Sequence, residues 1–310
     1  MDDAIRFERR SLSFRLLTRL FRQHVLSGTT CHLLRVAFEH GGYIAGGFGT
    51  VLARQLVLGE GKVENSLQWA VRDHLGQPIV PPERTWRYNV GLGDIDVWFA
   101  DQASVDSFIN DPRRLRLLDS GRVHVAETIT GTGIEHLVPG DAKVQVITRF
   151  LMPIEEQLSR FDIYNGMVAY TEDEVFLPEH WEALESQRVL HVSVWKLPWT
   201  VNRFFKWLRR KGYNHVTPVT ADAVVQQTVD AVVWLKEHGT ALPEKELQEA
   251  ADKNELLGHL VTMPANIQHV LQPVFAALTA DRLLEVSALF RPDARQYDLA
   301  MQEIRKRMPL

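Results

Sequence analysis

The stretch VGLGDIDVWFAD, residues 90–101, decides how the chain is read. It has the apolar content of a buried strand, yet Asp94 and Asp96 stand in its middle. In a strand, side chains at i and i+2 share a face. The two carboxylates therefore stand side by side, and Ile95, Val97 and Phe99 fill the opposite face. Like charges at that spacing repel, and aspartate is a poor strand former, so the pair needs a cause. Two carboxylates near a strand's end can chelate a hard divalent cation such as Mg²⁺, which keeps waters and bridges substrate phosphates. An exposed Asp-x-Asp turn is the ordinary alternative, and the apolar Val90, Ile95, Val97, Trp98 and Phe99 argue against it.

Upstream, HGGYIAGGFGTVLARQLVLGEG (40–61) is a short apolar element ending at Gly46-Gly47, then a helical run from Thr50 through Leu58. A glycine turn into a helix presents backbone N–H groups at the helix N-terminus, a seat for phosphate. Residues 59–93 are polar and contain Pro78, Pro81 and Pro82; they read as an insertion with a short helix around Asn65–His74. Downstream, QASVDSFINDPRRLRLLDSG reads as a helix, a turn at Pro112 and a short basic segment. RVHVAETITGTGIEHLVPG alternates on both sides of Thr130-Gly131-Thr132-Gly133, the pattern of a hairpin, with His124 and His136 as ordinary strand residues on its two arms. AKVQVITRF is a third β segment and MPIEEQLSRF a helix.

From about residue 198 the chain turns helical. PWTVNRFFKWLRRKGY has Pro198 near its start and Gly212 at its end, the usual helix punctuation. Residues 220–239, 243–258 and 265–307 read as further helices. At the other end, Phe7, Leu12, Leu16, Leu20 and Val25 at helical spacing, among Arg9, Arg10, Arg15, Arg19 and Arg22, predict a basic helix within 1–26. It is either a solvated surface helix or an arm that contacts RNA or phosphate. The layout is thus a basic helix (1–26), a head (27–195) carrying the 59–93 insertion, and a helical neck and body (196–310).

Composition narrows the classes. A net charge of −4 gives no global attraction for nucleic acid, so such binding must come from local patches such as Arg9, Arg10, Arg209, Arg210 and Lys211. The single cysteine, Cys31, excludes an intrachain disulfide and suits a reducing compartment. No apolar run reaches membrane-spanning length, and the N-terminal segment lacks a signal-peptide core, so a cytoplasmic protein is expected. The histidines form no His-x-x-x-His pair and Cys31 lacks a triad context, which disfavours a generic hydrolase.

AGGFGTVLARQLVLG followed by GDIDVWF resembles the signature of the DNA polymerase β-like nucleotidyltransferase superfamily. More closely, it is similar to the head of bacterial poly(A) polymerase and CCA-adding enzymes. KVQVITRF (143–150) resembles the strand running from the family's hairpin to an arginine. SRFDIYNGMVAY (159–170) resembles its Arg-Asp-Phe-Thr-x-Asn-Ala-x-Ala-Tyr segment, keeping Asp162, Ala169 and Tyr170. PWTVNRFFKWLRRKGY (198–213) resembles the neck helix, with Pro198, Arg203, Lys206, Gly212 and Tyr213 at the family's spacing.

The resemblance implies an α+β fold: a nucleotidyltransferase-fold head with a mixed β-sheet flanked by helices, then an all-helical C-terminal body. It implies transfer of NMP from an NTP to a hydroxyl, dependent on Mg²⁺ or Mn²⁺. Asp94 and Asp96 would hold the metal and, with Asp162, form the catalytic set. Gly46, Gly47 and Thr50 would cradle the β- and γ-phosphates. Arg160 and Asp162 would lie near the sugar or triphosphate, and Arg203 and Lys206 would bind phosphate or base. An RNA 3′ end, tRNA included, is favoured as acceptor over a small molecule or a protein side chain.

Four departures accompany the resemblance. Residues 59–93 intervene between the glycine turn and the aspartates. Thr50 and Val51 replace the family's Arg-Asp pair. Gln145 stands where a third carboxylate is expected. Leu197 and Thr200 replace the Asp and Arg that read the incoming base, so discrimination of C or A in the family's manner is not expected. Two other readings stay open: a degenerate nucleotidyltransferase fold that binds nucleotide or a partner without turnover, and a toxin-type enzyme modifying tRNA or protein.

Overall fold

The structure, a computed structural model, describes residues 5–12, 26–58, 94–128, 131–138, 141, 143–197, 199–211, 213 and 215–238. The 59–93 insertion and the helices expected at 243–258 and 265–307 lie outside these residues. The chain divides into two compact units, with residue 186 ending the run of the first and residue 187 opening that of the second.

In chain order the first unit contains β1 (Phe7–Ser11), α1 (Gly28–Glu39), β2 (Tyr43–Ala45), α2 (Gly47–Val57), β3 (Ile95–Trp98), α3 (Gln102–Ile109), α4 (Pro112–Asp119), β4 (His124–Glu127) and β5 (Gly133–Leu137). It continues through β6 (Val144–Ile147), α5 (Ile154–Ser159), a 3₁₀ turn (Tyr164–Gly166), β7 (Ala169–Tyr170), β8 (Glu174–Pro178) and α6 (Trp181–Ser186). The strands form one mixed sheet in the order β1-β8-β7-β2-β3-β6-β5-β4. Only β3 and β6 pair in parallel; the other neighbours are antiparallel. The second unit holds β9 (Val189–Leu190), α7 (Trp199–Lys211), β10 (His215–Val216) and α8 (Pro218–His238), with β9 and β10 pairing in parallel.

Period-two alternation sorts the sheet into two faces. Ile44, Ile95, Val97, Val144 and Val146 are buried in one cluster with Leu33, Leu34 and Val36 of α1 and Val105 and Phe108 of α3. The other face is thinner: Tyr43, Ala45, Ala169 and Phe176 pack with Leu158 of α5 and Met167. Ile95, Val97 and Phe99 are buried, whereas Asp94 is exposed and Asp96 half-buried. The reading of residues 94–99 holds.

The N-terminal helix requires correction. Phe7–Ser11 is an extended edge strand paired antiparallel with β8, so the sheet begins well before residue 27. Backbone pairing with Val175–Pro178 outweighs the apparent helical spacing. Arg9 extends from the strand to Glu155 of α5 (2.7 Å), with its guanidinium 5.1 Å from the Phe176 ring centroid. Residues 13–25 lie outside the described part. Pro112 is also more than a turn: Asp111 accepts from Arg113 N–H (2.7 Å) as N-cap, and Pro112 opens α4.

Gly133 owes its identity to crowding. A Cβ there would lie 2.2 Å from the Val146 carbonyl oxygen, a backbone atom of the neighbouring strand. Gly133→Ala is expected to destabilise the head by about 1–3 kcal/mol, read as a lower urea midpoint with an unchanged slope.

His136, opposite Val144, is fully buried, and its Nε2 accepts from Arg114 Nε (2.9 Å). Burial first, and the Arg114 charge second, push its pKa down to about 3. The folded state therefore holds this imidazole neutral, while the unfolded chain protonates it near its ordinary value of about 6.5. Stability is expected to be fully present above that value and to decline as pH falls toward about 3. Between pH 7 and 5 this one group should cost about 2 kcal/mol. Urea midpoints at both pH values, compared with His136→Gln, check it: the variant should lose less.

Candidate nucleotide and metal site

Three sequence motifs meet at one end of β2. Ala45, its last residue, is in register with Asp96 of β3. The next residue, Gly46, turns the chain at φ +86°, a conformation that favours glycine. A Cβ on Gly46 would lie 3.7 Å from Asp96 Oδ2 and 3.8 Å from the Phe161 ring, and the Gly46 N–H donates to Val168 O (3.3 Å). The glycine turn, the aspartate strand and segment 159–170 therefore lie side by side. Gly47 then opens α2, placing the positive end of an 11-residue helix beside Asp96.

Thr50 has a different part from the one expected. It is buried, and its hydroxyl donates to Asn165 O (2.9 Å) and Gly46 O (3.2 Å), so it braces the glycine turn from inside rather than facing a phosphate. Beneath it, Asn165 Nδ2 donates to Glu185 Oε1 (2.7 Å), and Arg54 Nε pairs with Glu185 Oε2 (2.6 Å) where both side chains are almost fully buried. Trp181 Nε1 donates to the same Asn165 carbonyl (3.1 Å). This network ties α2, the 3₁₀ turn and α6 together.

On the other side of Asp96 the sheet carries a polar row. Asp96 is opposite Gln145 of β6, and Gln145 is opposite Glu135 of β5, so all three share a face. Gln145 thus occupies the place expected of a third carboxylate and brings no charge. At the start of β6, Lys143 Nζ lies 3.3 Å from Asp94 Oδ2 and 2.9 Å from Glu135 Oε1. Burial pulls the Lys143 ammonium toward neutrality, but Glu135 and Asp94 more than offset it and raise its pKa above the ordinary value.

The remaining expected residues scatter. Asp162 is buried, and its Oδ1 accepts from Ile163 N–H (3.1 Å). Arg160 is exposed and paired with Glu156 (2.8 Å). Arg203 is exposed and Lys206 half-buried, one turn apart on α7 in the second unit. Thr200 is buried and accepts from Lys196 N–H (2.8 Å), a bracing role. Arg9 and Arg10 both engage carboxylates, Arg10 meeting Glu8 at 2.9 Å, which weakens the idea of a free basic arm.

Two features went unread in the sequence. Trp98, two residues beyond Asp96 on the same face, packs against Phe161 with ring centroids 5.7 Å apart, and its indole N–H has no hydrogen-bond partner among the described residues. Alternation could have placed Trp98 there; Phe161 arrives from a distant segment. Ser107 Oγ, His40 and Asp111 also line up as in a hydrolase triad, at 2.9 Å and 2.8 Å. Asp111, however, is also clamped by Arg113, which together with His40 holds its carboxyl well below the usual range. The nearby Gly41 and Gly42 N–H groups donate to Phe38 O and Ala37 O, so neither serves as an oxyanion donor. The chain of contacts is a staple between α1, α3 and α4.

Asp94 and Asp96 fit a hard divalent ion. Their carboxylate oxygens suit Mg²⁺, an ion held by one or two carboxylates with phosphates and waters completing the shell. The Lys143 ammonium already stands as a cation on Asp94. Among the described residues no group of three His, Cys, Asp or Glu gathers as a metal centre.

Solved structures carry the same architecture. A CCA-adding enzyme solved with CTP superposes with a TM-score of 0.50 at 16% identity, over 97% of this chain and 69% of that one. The complex of a CCA-adding enzyme with ATP gives 0.51 at 14% identity, over 97% and 70%. The fold is that of the CCA-adding enzymes. An apo form of a CCA-adding enzyme gives 0.51 at 14% identity, over 96% and 69% of the two chains. At this identity the likeness to CCA-adding enzymes establishes the fold alone. No family profile and no curated protein matches the sequence. Among the described residues no helix is long and apolar enough to cross a membrane.

Proposed function

We propose that this chain is a divalent-metal-dependent nucleotidyltransferase that moves NMP from an NTP to a hydroxyl, with an RNA 3′ end as the acceptor class. The observation that carries it is the adjacency of the Gly46-Gly47 turn to Asp96: Ala45 is in register with Asp96, and a Cβ added to Gly46 would lie 3.7 Å from the carboxylate. It pairs a phosphate-seating helix start with a metal-holding strand, on a fold whose solved examples include complexes with CTP and ATP.

In this reading Asp94 and Asp96 hold the metal, Mg²⁺ or Mn²⁺, which when bound supplies charge neutralisation at the triphosphate and a lowered pKa for the attacking hydroxyl. The start of α2 orients the β- and γ-phosphates through backbone amides and the helix dipole. Asp162 completes the catalytic set from the segment that also carries Phe161, and Arg160 reaches the triphosphate. Phe161 and Trp98 wall the glycine side. Arg203 and Lys206, one turn apart on α7 of the second unit, are a basic pair able to bind phosphate. With Leu197 and Thr200 in place of a base-reading pair, choice among NTPs is broad.

A second reading, nucleotide or partner binding without turnover, draws on Gln145 and on the Lys143 ammonium at Asp94. Incubation with each α-labelled NTP and Mg²⁺, over separate pools of RNA, protein and small hydroxyl compounds, tests both. Label on RNA supports the proposal. Label on protein instead points to a toxin-type enzyme, and no label in any pool favours binding without turnover.

A further inference from the structure

Lys143 is anchored beside the aspartates by the backbone, because Ile95 N–H donates to the Lys143 carbonyl (2.9 Å) at the start of the parallel β3–β6 pair. Its side chain lies on the polar face and reaches two carboxylates from different strands, Glu135 at 2.9 Å and Asp94 at 3.3 Å. The shorter contact, to Glu135, is the better hydrogen bond; the longer one is the weaker. Between Glu135 and Asp96 stands neutral Gln145, opposite both. An acidic face with one neutral member thus carries a tethered positive charge at the carboxylate that a metal must occupy.

We propose that Lys143 is a resident counter-cation of the metal site. Its ammonium orients Asp94 and offsets its repulsion with Asp96. When a divalent ion takes Asp94, the ammonium stays with Glu135. Lys143 is therefore a positioning residue, Glu135 is its second berth, and metal binding is an exchange of cations at Asp94. This inference rests on the reading of Asp94 and Asp96 as metal ligands.

The two berths give opposite signs. Lys143→Met removes the competitor and is expected to tighten Mn²⁺ binding about tenfold, since one unit charge a few ångströms from the ion is lost. Glu135→Gln leaves the ammonium on Asp94 alone and should weaken Mn²⁺ binding several-fold. Lys143→Arg, which keeps a cation, should remain within about threefold of the parent. The measurement is free Mn²⁺ by electron paramagnetic resonance on the full chain, with Asp96→Asn as the control that loses the site and circular dichroism melts to confirm folding. Unchanged or weaker binding in a folded Lys143→Met protein, with the parent binding normally, overturns the role of Lys143 alone. Absence of Mn²⁺ binding in every form, Lys143→Met included, overturns the metal reading of the aspartates as well.

Discussion

Asp96→Asn is expected to lower nucleotidyl transfer by about a thousand-fold, with little change in thermal unfolding. The substitution keeps the shape of a half-buried side chain opposite Ala45 and Gln145, so the sheet register has no reason to change. In the proposed reading it removes one full negative charge from the two carboxylates that would hold the metal, and Gln145, opposite Asp96 on β6, supplies none in its place. Asp94→Ala should act in the same direction. Labelled-NTP transfer measured beside a circular dichroism melt checks the result. Retention of transfer within about tenfold of the parent in the folded Asp96→Asn protein would sink the metal assignment.

Glu185→Ala is expected to be the most damaging single change to the head, at about 3–5 kcal/mol. Glu185 is fully buried and receives both Arg54 and Asn165, so its removal leaves a buried guanidinium without its carboxylate. Asn165 also supplies the carbonyl that holds Thr50 and Trp181, so the loss spreads to the glycine turn. A melting temperature lower by roughly 6–20 °C is the corresponding readout. Arg54→Met combined with Glu185→Leu, which removes both charges, should recover most of that loss.

The sequence made legible what alternation and punctuation encode. Residues 94–99 show their two faces in the order of their letters, the hairpin is visible around Gly131 and Gly133, and α7 sits where Pro198 and Gly212 bracket it. Non-local pairing stayed hidden. Nothing in Phe7–Ser11 reveals that β8 will claim its backbone, so a basic edge strand resembles an amphipathic helix. The meeting of Lys143 with Asp94 and Glu135 depends on the registers of three strands, one of them arriving through a parallel crossover. Thr50 was placed on the right turn but its hydroxyl faces inward, because its partner, Asn165, comes from a segment more than a hundred residues away. No motif in the sequence marks α1.

The pairing of Ser11 with Glu174 and Phe7 with Pro178 also bears on how the head is made. β1 lies at the edge of the described sheet, and its partner β8 is the last of that sheet's described strands in chain order. Every intervening strand can find a neighbour while that opening segment waits, so closing this edge is a high-contact-order event late in assembly. Until then Glu8, Arg9 and Arg10 keep the waiting segment from pairing with another chain.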